Sequence, residues 1–212
     1  VGSQLAGICG SLQKHFMMET GGKNPMIIMD DADIDLALEG ALWGGFGTSG
    51  QRCTAASRLI VHKKVYDQFI KKFREKAACL IVGNGQDKKT QMGPIVSEAQ
   101  YQKVLNYIDI GKKEGARLIL GGSGMKKGKC VHGTFIEPTI FVDVTPTMRI
   151  AREEIFGPVV SVLKVNNLRE GIKIANDVAF GLSAAIYSRD VNKTAVFERD
   201  MDAGLIYINA ST

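Results

Sequence analysis

Short apolar runs alternating with amphipathic stretches restrict this chain to few architectures. Met26–Met29, Arg58–His62, Ala116–Leu120, Val159–Val165, Ala184–Tyr187 and Leu205–Ile208 have strand length, and Phe135–Val142 is an extended segment interrupted by Pro138. Between them the apolar residues recur at helical spacing. Examples are Leu5, Ile8 and Leu12 within Val1–His15, then Ile34, Leu38, Ala41, Leu42 and Gly45, then Val65, Phe69, Phe73, Ala77 and Leu80 within Val65–Ile81. Ser97 caps a further helix reaching to about Glu114, with Val104, Leu105 and Ile108 inward, and Leu168–Val178 and Val191–Met201 complete the set. Strands separated by helices give an α/β chain with a mostly parallel twisted sheet and helices on both faces.

The acids Asp30, Asp31, Asp33 and Asp35 sit where a strand ends and a helix starts. That position suits an N-cap and the positive end of a helix dipole better than a metal. The histidines His15, His62 and His132 show no metal-ligand spacing, so no metal is expected. With 45% hydrophobic and 23% charged residues the chain is an ordinary folding sequence, which excludes disorder. Its net charge of +5 comes from scattered or paired lysines, such as Lys71-Lys72 and Lys126-Lys127, without interleaved aromatics. A solvated surface, and not a nucleic-acid partner, is the expectation. No run is long and apolar enough to span a membrane. The cysteines Cys9, Cys53, Cys79 and Cys130 form no C-x-x-C pair, which points to free thiols and the cytoplasm. Cys79 falls in the long helix and reads as structural, whereas Cys130 lies in a Gly/Lys-rich surface loop over Gly121–Gly133.

Cys53 differs from the others. It stands in GTSGQRCTAASR, Gly47–Arg58, among small and polar residues. A nucleophilic thiol needs thiolate character, room and a partner for water. Gly47, Ser49 and Gly50 supply room, and Arg52 supplies charge if its side chain turns toward the sulfur. A packing thiol is the alternative. Glu19, in METGGKNP, sits beside a Gly-Gly turn, placed to enter a cleft or simply to face solvent. The glycine pairs form no G-x-G-x-x-G after a strand, so a dinucleotide fingerprint is missing.

Glu19-Thr20-Gly21-Gly22-Lys23-Asn24-Pro25 resembles the glutamate signature of the aldehyde dehydrogenase superfamily, with Thr20 where members more often carry Leu. Gly50-Gln51-Arg52-Cys53 resembles its cysteine signature, and Glu153-Glu154-Ile155-Phe156-Gly157-Pro158-Val159 resembles its cofactor-contacting segment. The similarity continues through Gly93-Pro94 and Ile206–Asn209. It implies oxidation of an aldehyde to a carboxylic acid with NAD or NADP. The Cys53 thiolate would form a thiohemiacetal whose oxyanion is held by the Cys53 N–H and an asparagine. A thioester follows, and Glu19 would activate water to release the acid. The resemblance also implies Glu154 on the nicotinamide ribose, Phe156 beside the ring and Gln100, by alignment position, toward the adenosine-side ribose.

The same resemblance implies that residues 1–20 are the end of a cofactor domain and 21–212 a catalytic domain. The cofactor half and the oxyanion asparagine are then expected before Val1, and a closing oligomerisation segment after Asn209. It further implies a homo-oligomer, dimeric or tetrameric, acting on a small-molecule aldehyde. The GQRCTA wording resembles members acting on semialdehydes and small hydroxy- or phospho-aldehydes. The rival readings are a branch that passes the acyl group to coenzyme A, whose members generally lack the glutamate, and a non-enzymatic structural relative.

Overall fold

Four of the helices start where a side chain satisfies a free N–H group. The helices are α1 (Gly2–Ser11), α2 (Ile34–Phe46), α3 (Tyr66–Ala78), α4 (Glu98–Lys113), α5 (Arg149–Arg152), α6 (Leu168–Asn176) and α7 (Val191–Asp200). Asp33, Ser97, Asn167 and Asp190 cap α2, α4, α6 and α7 by accepting from Leu36, Gln100, Glu170 and Asn192 N–H groups. Asp33 thus takes the capping role expected of the acidic cluster. The computed structural model describes residues 1–125 and 128–212, so the Lys126–Lys127 pair lies outside the described residues.

The strands are β1 (Asn24–Ile28), β2 (Ala56–His62), β3 (Arg117–Leu120), β4 (Thr139–Val142), β5 (Val159–Val165), β6 (Ser183–Tyr187) and β7 (Leu205–Ile208). They form one sheet in the order β3-β4-β5-β2-β1-β6-β7, parallel throughout except that β3 runs antiparallel to β4. The central strands β1, β2, β5 and β6 are buried on both faces, which explains why they read as continuous apolar runs.

The pleat sends alternate side chains to two cores. Met26, Ile28, Leu59 and Val61 meet α2 and α3, where Phe69 and Phe73 stack at 5.7 Å. Ile27, Met29 and Ile60 face the opposite core with Val104, Ile108, Ile172 and Phe197. Helices therefore cover both faces, as the alternation predicts.

Three local expectations change. The long helix stops at Ala78, and Cys79 is its exposed C-cap residue, not a packed one. Cys130 is buried beneath its loop, its sulfur 3.7 Å from the Val82 carbonyl. The first helix forms, but none of its residues is buried, and Leu5, Ile8 and Leu12 are 50, 55 and 62% exposed.

Candidate active site

The motifs converge at the amino ends of the parallel strands. Gly21-Gly22-Lys23 leads into β1, the Cys53 turn into β2, and the Glu154–Pro158 segment into β5. Ligands in open α/β sheets usually lie beyond the carboxyl ends. Here the motif residues gather at the opposite end.

Glycines let the three segments touch. A Cβ on Gly22 would overlap the Cys53 carbonyl oxygen, and one on Gly21 would come within 2.5 Å of Glu154 Oε2. Gly50 has φ +64°, and a Cβ there would overlap the Gly157 carbonyl. Only glycine suits that position, because the left-handed backbone and the close approach both exclude a side chain. Hydrogen bonds then fix the arrangement. The Gly22 N–H donates to Glu154 Oε1 at 3.0 Å. Asn24 Nδ2 donates to the carbonyls of Cys53 at 2.7 Å and Ala55 at 3.0 Å, while Asn24 Oδ1 accepts from the Ser183 N–H.

A second set of bonds ties the cysteine turn to the cofactor-like segment. Ser49 Oγ donates to the Gly93 carbonyl, Gln51 Nε2 to the Pro94 carbonyl, and Gln51 Oε1 accepts from the Val96 N–H. That loop enters α4, whose first turn carries Gln100. Gln100 Nε2 donates to the carbonyls of both Ile155 and Phe156 at 2.9 Å. Phe156 has φ +57°, a sparsely occupied conformation for an aromatic residue, and Gln100 holds the peptide that adopts it.

Cys53 is exposed at the tip of its turn. Glu154, Phe156 and Gln100 are half-buried around it in the same cluster of segments. Both of these Gln100 bonds are donated by Nε2 to backbone, and its side-chain oxygen is not used in them. Glu19 is the outlier among the expected residues. It is exposed in an irregular stretch and, among the described residues, takes no hydrogen bond or ion pair. The hollow beside it has a volume of about 400 Å³ and is lined by Met18, Thr20, Gly21 and Ala179–Leu182.

Two buried cations lie behind the motifs. Arg58 donates to the carbonyls of Lys23, Ile174 and Ala175 at 2.8, 2.9 and 2.7 Å, fastening the end of α6 to the start of β1. Burial, with Arg152 nearby, lowers its pKa to about 10, so it stays charged near neutral pH. Lys23 is 1% exposed and its Nζ has no hydrogen-bond partner. Burial lowers its pKa to about 7, Arg58 adds to the fall, and Glu154 and Glu153 oppose it. Glu153 itself is drawn to about 2 by Arg149 and by the Tyr107 hydroxyl. Sequence reasoning gave Lys23, Asn24 and Gln51 no role beyond membership of the resembling motifs, and missed Arg58 as part of the site. For Asn24 and Arg58 the signal was a polar residue at a position the strand pattern assigns to the interior.

The cluster can present a thiol to a small electrophile and offer a carboxylate, Glu154, to a hydroxyl-bearing ligand. A sequence model of the aldehyde dehydrogenase family matches residues 1–212. Betaine aldehyde dehydrogenase of Mesorhizobium japonicum is 46% identical over 209 residues, which cover 99% of this chain and 43% of that protein. Alpha-ketoglutaric semialdehyde dehydrogenase of Bacillus subtilis is 43% identical over 197 residues, covering 93% of this chain and 40% of that one. The crystal structure of betaine aldehyde dehydrogenase from Staphylococcus aureus in complex with NAD+ superposes with a TM-score of 0.94 at 36% identity, covering 100% of this chain and 42% of that one. The chain therefore spans about two fifths of the length of these relatives.

Proposed function

Because the chain belongs to the aldehyde dehydrogenase family, we propose that it carries the nucleophile and part of the cofactor site of an NAD(P)-dependent aldehyde oxidation. The observation that carries this reading is the exposed Cys53 on a turn whose backbone is clamped by Asn24 and Gly22. A packing thiol would be buried, as Cys130 is.

In the proposed reaction the Cys53 sulfur attacks the aldehyde carbon as the carbonyl electron pair moves to oxygen. The Cys53 N–H would donate to that oxygen. The resulting thiohemiacetal becomes a thioester, and water assisted by Glu19 displaces the sulfur and releases the acid. Glu19 lies on the exposed stretch before Gly21. That stretch ends at the Gly22 N–H held by Glu154, so the two carboxylate-bearing segments are mechanically joined.

The nicotinamide fits the residues present. Because Gly21 has no Cβ, the Glu154 carboxylate packs against its backbone and would there accept from ribose hydroxyls, and the half-buried Phe156 ring would border the nicotinamide. When bound, that group accepts the hydride that turns the thiohemiacetal into the thioester. Gln100 acts in this reading by holding the Phe156 peptide.

The burial pattern supports a domain boundary near residue 20, since residues 1–20 include no buried position and 22–29 are all buried. Residues 1–20 are then the end of a cofactor domain and 21–212 the catalytic domain. Glu19 favours hydrolysis of the thioester over transfer to coenzyme A. The proposal extends to a homo-oligomeric cytoplasmic enzyme.

Competitive labelling tests the nucleophile. Cys53 and Cys79 are both exposed, so accessibility alone predicts equal modification by limiting iodoacetamide. The expected result, read by peptide mass spectrometry, is Cys53 modified several-fold faster than Cys79. Equal rates would remove the assignment.

A further inference from the structure

The turn that presents Cys53 is held by a loop far along the chain. Ser49 and Gly50, at φ +56° and +64°, are both left-handed and directly precede Gln51. That conformation is unfavourable for a serine and persists where surrounding contacts retain it. Ser49 is 2% exposed, and its Oγ donates to the Gly93 carbonyl at 2.8 Å. Gln51 adds two bonds to the same loop. Its Nε2 donates to the Pro94 carbonyl at 3.0 Å, and its Oε1 accepts from the Val96 N–H at 2.9 Å. One side-chain amide thus takes both backbone groups that flank Ile95, using its donor and its acceptor together.

The loop it grips is itself fixed. Ile95 is 2% exposed and belongs to the core with Val104 and Ile108. Its N–H donates to the Thr134 carbonyl, and its own carbonyl accepts from the Thr134 hydroxyl. Beyond Val96 the chain enters α4, where Ser97 accepts from the Gln100 N–H and Gln100 Nε2 donates to the Ile155 and Phe156 carbonyls. One short stretch, 94–100, is therefore gripped at its start by Gln51 and grips the Phe156 peptide at its end.

Both Gln51 bonds are open to solvent, so water would satisfy the same backbone groups if the amide were removed. Their contribution to stability is then small. Water cannot replace the fixed spacing that the amide sets between turn and loop.

We propose that Gln51 is a positioning residue for Cys53, and that with Gln100 it braces the nucleophile turn against the segment carrying Glu154 and Phe156. The inference rests on the reading of Cys53 as nucleophile. Gln51 acts through the turn and touches no reacting atom.

The test measures alkylation of Cys53 relative to Cys79 by limiting iodoacetamide at one pH, with urea unfolding of the same samples. Cys79, exposed at the end of α3, is the internal control. Gln51→Met has nearly the length of glutamine and makes neither bond. It should lower the Cys53-to-Cys79 ratio about fourfold, the scale of one lost hydrogen bond, with the urea midpoint almost unmoved. Gln100→Met changes a residue outside the cysteine turn and should lower the ratio about twofold. The double variant should fall no further than Gln51→Met, because both glutamines act through one brace. If circular dichroism shows Gln51→Met unfolded, Gln51→Glu decides in its place. It keeps the acceptor for the Val96 N–H, loses the donor to Pro94, and should lower the ratio about twofold.

A ratio unchanged in the folded Gln51 variant, or one that falls only in step with the urea midpoint, overturns the positioning role and leaves the nucleophile standing. Fully additive losses in the double variant overturn the brace to Gln100. A wild-type ratio near one overturns the nucleophile reading and this inference together.

Discussion

The two ends of the parallel sheet are built by opposite rules. At the carboxyl ends, charges are paired. Asp30 meets Lys64 at 3.1 Å and Lys193 at 2.8 Å, Asp31 also meets Lys193 at 2.8 Å, and Asp33 meets Arg189 at 2.8 Å. Ser188 donates to Asp31, and Asn209 bridges to Ser188 through its side chain. At the amino ends, polar groups are left over. The buried side-chain atoms without a partner among the described residues are Lys23 Nζ, Thr48 Oγ1, Arg52 Nε, Ser57 Oγ, Ser183 Oγ and Thr212 Oγ1. All but Thr212 lie where the chain enters β1, β2 or β6, and the Thr212 carbonyl is bonded to Arg52. Left-handed residues occur at both ends, Ser49, Gly50 and Phe156 at this one and Asp143 and Asn209 at the other. Unsatisfied groups gather where a fold works, and they persist because the rest of the fold holds them. The carboxyl end supplies that hold.

The largest break in this contrast should come from Gly50→Ala. The substitution forces a side chain into a left-handed conformation and against the Gly157 carbonyl. We expect about 3 kcal/mol or more of lost stability, read from urea unfolding, because backbone on both sides must move. A loss below about 1 kcal/mol would mean that the cysteine turn and the Glu154 segment are not interlocked.

Lys23→Met should act in the other direction. In the folded chain Lys23 releases its proton at about 7, well below an ordinary lysine, because burial penalises the charge. Below that pH both states carry the proton and burial costs the most. Above it, up to the ordinary lysine range, the unfolded state binds one proton more, so stability rises with pH. Lys23→Met should therefore stabilise the chain by about 2 kcal/mol at pH 7 and flatten its stability between pH 7 and 9. An unchanged slope, or a loss of stability at pH 7, would show that the ammonium is compensated in the folded state.

Much of this architecture is legible in the sequence, for a physical reason. Doubly buried strands leave unbroken runs such as Met26–Met29, and capped helices begin at Asp33, Ser97, Asn167 and Asp190. Cys53 is legible too, since small and polar neighbours have no packing use. What escapes is whatever depends on contacts distant in sequence. Cys130 reads as a surface residue because nothing local shows Val82 beside it. Asn24 sits within a motif, yet its work is to bond the Cys53 carbonyl, 29 residues away. Lys23 reads as a charged end to a turn, and only its burial in the folded chain, with Arg58 nearby, gives it a perturbed proton.

The smallest effect should come from the paired end. Lys193 is about a quarter exposed and bridges Asp30 and Asp31, whereas Lys64 is 68% exposed and reaches only Asp30. Lys193→Met should cost about 1 kcal/mol, and Lys64→Met less than about 0.5 kcal/mol, since exposed pairs are screened and hold long side chains at an entropic cost. The Asp30 carboxyl lies well below the usual range, mainly through its bond to Lys193, with Lys64 adding and partial burial opposing. A depressed carboxylate contributes stability above its unfolded value that is lost as the pH falls. The gap between wild type and Lys193→Met should therefore close as the pH drops below about 4, and narrow at neutral pH in about 1 M salt. A gap of several kcal/mol that survives acid and salt would mean that the carboxyl end is held by packing of the lysine stem, and that its charges are incidental.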